Sequence, residues 1–174
     1  SMSEASHMTL LTSLAVYQAI WDYTQLPVEI KWPNDLLIRG KKICGILTEL
    51  KGEQDQVDYL VVGVGINVNL TSDLEIGRPF TSLSKEWGKP IRRAALLAKI
   101  LGEWEQWYQL YLKQGFQPIK QQWEEVTSFT GKRIRARTPK GRVIGVAKGI
   151  NHQGALMLKT ETGLVEIYSA DIEY

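Results

Sequence analysis

Residues Lys31 to Leu50 read KWPNDLLIRGKKICGILTEL: a Trp-Pro pair against Asn-Asp, three cations close together, then an apolar run split by one glycine. Pro33 removes a ladder donor, so the strand that "VEIKW" begins by alternation must stop there, and Asn34-Asp35 reads as a turn. "DLLI", a tight "RGKK" hairpin turn and "ICGILTEL" then supply two more short strands. The question is what a lysine, Lys42, does three residues before a close-packed glycine, Gly45.

Working outward, Leu10, Leu11, Leu14, Ala15, Ala19 and Ile20 recur at helical spacing, which predicts a helix from Thr9 to about Tyr23. The preceding "SMSEASHM" has neither the basic flank nor the apolar run of a signal peptide. It reads as tag residue or native loop, with His7 in a flexible region. After the polar connection "GEQDQ", the run "VDYLVVGVGINVNL" is apolar on both faces and predicts a central strand. "TSDLEIGRPFTSLSKEWGKP" reads as a loop. A long helix follows, with Ile91, Ala94, Leu97, Leu101, Trp104, Tyr108 and Leu112 on one stripe, and then a shorter one in "PIKQQWEEV" with Pro118 in its permitted first turn. From Lys132 onward, short alternating segments are punctuated by "PKG", "NHQG" and "ETG". They predict a small β domain over residues 129–174, packed on a first domain over residues 9–128.

Composition narrows the function classes. The 21 basic and 19 acidic residues leave a net charge of +2, so an anionic partner would need a local patch. Cys44, the single cysteine, cannot form an internal disulfide, and no apolar run approaches the roughly 20 residues of a membrane span. A cytoplasmic protein is expected. The Asn69-Leu70-Thr71 sequon is then a chance match.

Glycines weaken a strand interior unless a ligand or another backbone approaches closely, so Gly63 and Gly65 point to a ligand face, with a bulge or a packing contact as the alternative. The dinucleotide fingerprint fails, because Val68 stands where its third glycine belongs and no helix follows. Lys42 reads as solvated surface or as a phosphate ligand within reach of Gly45. Asp35 could orient it, hold magnesium, or serve only the turn. Trp32, at a strand end beside Pro33, could wall a pocket, and Cys44 reads as a buried small hydrophobe. Neither a metal-ligand spacing nor a nucleophile constellation is present in the sequence.

The order KWPND (Lys31–Asp35), KICGIL (Lys42–Leu47) and GVGIN (Gly63–Asn67), followed by "GINHQGAL", resembles the biotin protein ligases from Thr9 to the end of the chain. The resemblance implies an α+β fold, a mixed β-sheet with packed helices of the biotin/lipoate ligase type, followed by a small SH3-like β-barrel. It implies formation of biotinyl-adenylate from biotin and ATP with Mg2+, then transfer to a lysine of a biotin carboxyl carrier protein. In that family the lysine matching Lys42 contacts the biotin carboxylate and the adenylate phosphate. By the same resemblance Trp32, Gly45, Ile46, Leu47 and Gly63 belong to the biotin pocket, and Lys31, Asp35, Gly65 and Asn67 to the ATP and adenylate side. It also allows a homodimer. Two departures stand out: the family's Gly/Arg-rich loop before Thr9 and the DNA-binding helices of some members have no counterpart in the sequence. The expectation is therefore a partial ligase domain of doubtful activity alone, with repressor function unsupported. The competing expectations are a lipoate ligase-like relative, or a binding module built on the basic residues from Lys132 to Lys148. That stretch of 17 residues contains no acid, and its plain reading is a solvated edge whose charges blunt strand pairing.

Overall fold

The computed structural model describes residues 4–53, 56–70, 79–127 and 129–173. Helix α1 (Ala5–Thr24) leads into β1 (Val28–Lys31), β2 (Asp35–Ile38), β3 (Lys41–Glu53) and β4 (Gln56–Ile66). The short α2 (Leu83–Trp87), the long α3 (Arg93–Gln114) and α4 (Gln117–Val126) follow. Strands β5 (Arg133–Thr138), β6 (Gly141–Ile150), β7 (Leu156–Thr160), β8 (Gly163–Ile167) and β9 (Asp171–Glu173) complete the chain. The first sheet has the order β1-β2-β3-β4 and the second β8-β7-β6-β5-β9. All strand pairs are antiparallel, and the parallel pairing among the described residues is the bridge Lys42–Phe80. The α+β architecture expected from the sequence is thus present.

One face of the first sheet lies against the helices. Ile30, Leu36, Cys44 and Ile46 are buried there with Leu10, Leu11 and Leu14 of α1 in one apolar cluster. Indole donors pin the helices together: Trp104 Nε1 reaches Thr12 Oγ1 at 3.0 Å, and Trp123 Nε1 reaches Ser13 Oγ at 3.1 Å. No helix among the described residues is long and apolar enough to cross a membrane.

Four expectations need correction. Helix α1 begins at Ala5, four residues before Thr9, and His7 is buried rather than flexible. Its Nε2 donates to the His152 carbonyl at 2.9 Å, its Nδ1 meets the Tyr111 hydroxyl at 3.2 Å, and its ring stacks on Phe116 at 3.8 Å. Strand β4 is an edge, not the centre, of the described sheet. The even-numbered residues Leu60 to Ile66 face α3 across an open groove, while Tyr59 and Val61 stay more than half exposed on the other side. On α3 the buried residues are Leu96 and Ile100, whereas Leu97, Leu101 and Leu112 of the expected stripe are exposed. This helix carries two apolar faces, and periodicity could not choose between them. Within the expected loop, residues 71–78 lie outside the described residues. Its later part contains α2, with Ser82 as its cap.

The second sheet docks through the "NHQG" turn. Asn151 Oδ1 accepts from the Gln153 and Ala155 amides, both at 2.9 Å, which tightens the turn until Gly154 adopts φ +80°. The Gly154 carbonyl then accepts from Trp32 Nε1 at 3.1 Å, and the Gln153 carbonyl accepts from Ser6 Oγ.

Candidate functional site: a lysine held over a glycine ridge

Strand alternation alone would place Lys42 and Gly45, three residues apart, on opposite faces. A β-bulge reverses this. Leu36 pairs with Cys44 but Leu37 pairs with Lys42, so Ile43 is the extra residue, and Ile43 and Cys44 are consecutively buried. Lys42 is thereby turned onto the face of Gly45, where its ammonium meets Asp35 Oδ1 at 2.5 Å. A Cβ on Gly45 would lie 3.0 Å from Lys42 Nζ and 3.1 Å from its Cε, so the glycine is what lets the lysine lie flat against the sheet.

Register lines up the rest. Lys31 is opposite Asp35, Asp35 opposite Gly45, and Gly45 opposite Gly65, and directly opposed residues of an antiparallel pair share a face. One row away, Leu47 is opposite Gly63. A Cβ on Gly63 would meet nothing nearer than the Leu47 carbonyl at 3.6 Å, and on Gly65 nothing nearer than the Gly45 carbonyl at 3.8 Å. The irregularity between β3 and β4 lies at Lys51–Gly52, far from both. Neither the bulge nor the packing alternative therefore accounts for these two glycines.

The segment after residue 78 forms the cleft's other wall. Lys42 N donates to the Pro79 carbonyl at 3.0 Å, and Thr81 N donates to the Lys42 carbonyl at 3.0 Å. Asn67 is tied in by its backbone amide to the Ile43 carbonyl (2.8 Å) and by Nδ2 to the Thr81 carbonyl (3.1 Å). Its Oδ1 has no partner among the described residues. A cleft of about 310 Å³ results, lined by Lys42, Gly45, Gly65, Asn67, Pro79 and Phe80. Burial pushes the Cys44 thiol up to about 12, so it is a thiol, not a thiolate, at neutral pH.

The sequence-predicted residues divide into two groups. Asp35, Lys42, Gly45, Gly65 and Asn67 come together at this cleft, with Lys31 at the far end of the row, its ammonium 3.4 Å from Asp171 Oδ1. Trp32, Ile46 and Leu47 line a neighbouring cleft of about 240 Å³ with Thr9 and Thr48. Of these only Leu47 is open, at 61% exposure; Trp32 and Ile46 are buried and form its floor. Sequence reasoning missed Asn34, which clamps the Trp-Pro turn onto β3 twice: its Nδ2 donates to the Ile46 carbonyl at 2.7 Å and its own carbonyl accepts from Ile46 N at 2.9 Å. Turn chemistry already explained an Asn there, so nothing in the sequence pointed further.

The sequence also bears comparison with known proteins. Residues 1–67 match the biotin/lipoate A/B protein ligase family, and residues 129–174 match the biotin protein ligase C-terminal domain. The chain is 44% identical over 175 residues to the bifunctional ligase/repressor BirA of Bacillus spizizenii, covering 99% of this chain but 54% of that protein. It thus spans about half the length of that relative. The biotin protein ligase of Aquifex aeolicus, in complex with biotin and ATP, superposes with a TM-score of 0.84 at 29% identity, covering 97% of this chain and 71% of that one. The biotin–[acetyl-CoA-carboxylase] ligase of Paracoccus denitrificans is 32% identical over 97% of this chain and 72% of its own length. Matched over most of its length to that ligase, and over its second sheet to the biotin protein ligase C-terminal domain, this chain belongs to the biotin protein ligases.

Proposed function

We propose that the chain carries the sheet side of a site that joins biotin to ATP as biotinyl-adenylate and then passes the acyl group to a lysine of a biotin carrier protein. One observation carries the reading: Lys42 lies over Gly45 beside Gly63 and Gly65, whose absent side chains leave room that the protein itself does not fill. The Aquifex likeness supports it, and so does the C-terminal match to biotin ligases specifically, which weighs against the lipoate alternative.

In this reading the biotin carboxylate attacks the α-phosphate, pyrophosphate leaves, and negative charge builds on the phosphoryl oxygens. A cation already in place stabilises that charge more than it stabilises the ground state. Lys42 is in place because Asp35 holds it. The lysine end of the pair is 41% exposed and the Asp35 end 14%, so the pair is worth on the order of 1 kcal/mol after screening, and a phosphate oxygen can take the place of Asp35. Asn67 Oδ1 accepts from the adenine amino group, Lys31 supplies a second cation toward the phosphates, and Leu47 covers biotin while Trp32 and Ile46 shape its floor from behind. Magnesium would arrive on the triphosphate: among the described residues no cluster of three or more His, Cys, Asp or Glu stands ready to hold it.

Calorimetric titration with biotinyl-adenylate tests the glycine ridge. Saturable binding is expected for the chain and its loss for Gly65→Val, at an unchanged Tm because the new side chain meets open space. Undiminished binding by Gly65→Val would remove the ridge from the ligand face.

A further inference from the structure

The cations of the second sheet are not all edge guards. Arg135 and Arg137 are flanked by β6 on one side and β9 on the other and need no protection from pairing, whereas Arg133 lies before the β9 pairing and Arg142 before the β7 pairing. Ile134 and Ala136 are buried, which turns the three β5 arginines outward together. Register adds Arg142 opposite Arg137, and Lys159 beyond Val146, which is itself opposite Arg133. Lys148 follows on β6. Among the described residues Arg137 is paired, with Glu173, while Arg133, Arg135, Arg142, Lys148 and Lys159 make no ion pair.

The sheet also opens where these residues gather. Val146–Lys159 is the pair nearest the start of β6, so residues 141–145 run on without β7, which turns back into β8. The two hairpins splay and leave an open cleft of about 900 Å³, with Arg133, Arg142, Lys148 and Lys159 around it, Thr160 and Thr162 on its rim, and Glu161 as its acid. No aromatic side chain lines it, so it offers no stacking platform for a base. Guanidinium forks, ammonium groups and hydroxyls are the groups that grip phosphate oxygens without reading sequence.

We propose that this cleft is a second site on the molecule, separate from the Lys42 cleft, that binds the phosphodiester backbone of nucleic acid without sequence preference. Along β5 the outward arginines recur about every 6.8 Å, so Arg135 and Arg137 extend the row of cations that Arg133 begins at the cleft. Four cations at the cleft predict a log–log salt slope of about −3 to −4.

The test is fluorescence anisotropy of a short labelled DNA duplex with the 174-residue chain over a range of salt concentrations. The expected result is saturable binding with that slope. The variant Arg133→Gln/Arg142→Gln/Lys148→Gln/Lys159→Gln should bind at least about tenfold more weakly with a slope near zero. A control with the same charge change elsewhere, Lys41→Gln/Lys51→Gln/Lys89→Gln/Lys113→Gln, should retain most of the affinity. Equal losses in both variants, or no binding at low salt, would overturn the site. Poly-glutamate competing as well as DNA at equal charge would overturn the nucleic-acid assignment in favour of an acidic protein.

Discussion

At the scale of single residues, the site depends on a feature invisible to pattern reading. The three-residue spacing of Lys42 and Gly45 allows the lysine to reach a ligand lying on the glycine, whereas strict alternation sets the two on opposite faces. The bulge at Ile43 resolves the conflict, and no residue type announces a bulge between two buried aliphatic positions. Gly45→Ala should therefore push the lysine off Asp35 with little change in Tm, and slow adenylate formation by on the order of tenfold or more, read as pyrophosphate release. His7 was equally illegible, since a histidine near a polar terminus carries no sign of burial. Its fixed contacts settle the tautomer: the His152 carbonyl can only accept, so Nε2 carries the proton and Nδ1 accepts from Tyr111. Burial, the largest cause, holds its pKa below the ordinary 6.5. The folded state thus resists protonation while the unfolded chain accepts it. Stability is full above about pH 6.5 and is lost as pH falls below it. Thermal denaturation at pH 7.5 and pH 6.0 should show a drop in Tm that His7→Gln reduces; an identical drop in the variant would remove His7 from the effect.

At the scale of elements, strand and helix boundaries were legible wherever one face was buried and the other wet. The hairpins of the second sheet fall where "PKG", "NHQG" and "ETG" put them. The failures came from elements with two apolar faces. β4 is apolar on both sides because one faces α3 and the other carries Val61, Gly63 and Gly65 beside Leu47, and sequence alone reads this as a central strand. The difference is measurable. Leu36→Ala, on a fully buried side chain of β2, should cost about 2–5 kcal/mol in chemical denaturation. Val61→Thr, on the exposed side of β4, should stay within about 0.5 kcal/mol. A large cost at Val61 would mean that the face is covered.

At the scale of the whole molecule, the second sheet is fastened to the first by the Trp32–Gly154 and His7–His152 contacts. Gly154 is hemmed in there: a Cβ would lie 2.9 Å from Leu10 Cδ1 and 3.0 Å from Ser6 Oγ, in addition to the strain of its positive φ. Gly154→Ala should accordingly destabilise the protein by roughly 1–3 kcal/mol and lower the Tm seen by fluorescence of the buried tryptophans. In the proposed reaction Lys42 stabilises charge on the α-phosphate. The most direct test of this role is pyrophosphate release by Lys42→Ala and Lys41→Ala in the enzyme that contains this chain. The expected rate is on the order of a hundredfold lower for Lys42→Ala and unchanged for Lys41→Ala, whose side chain is exposed one residue away. Equal rates in the two variants would contradict it.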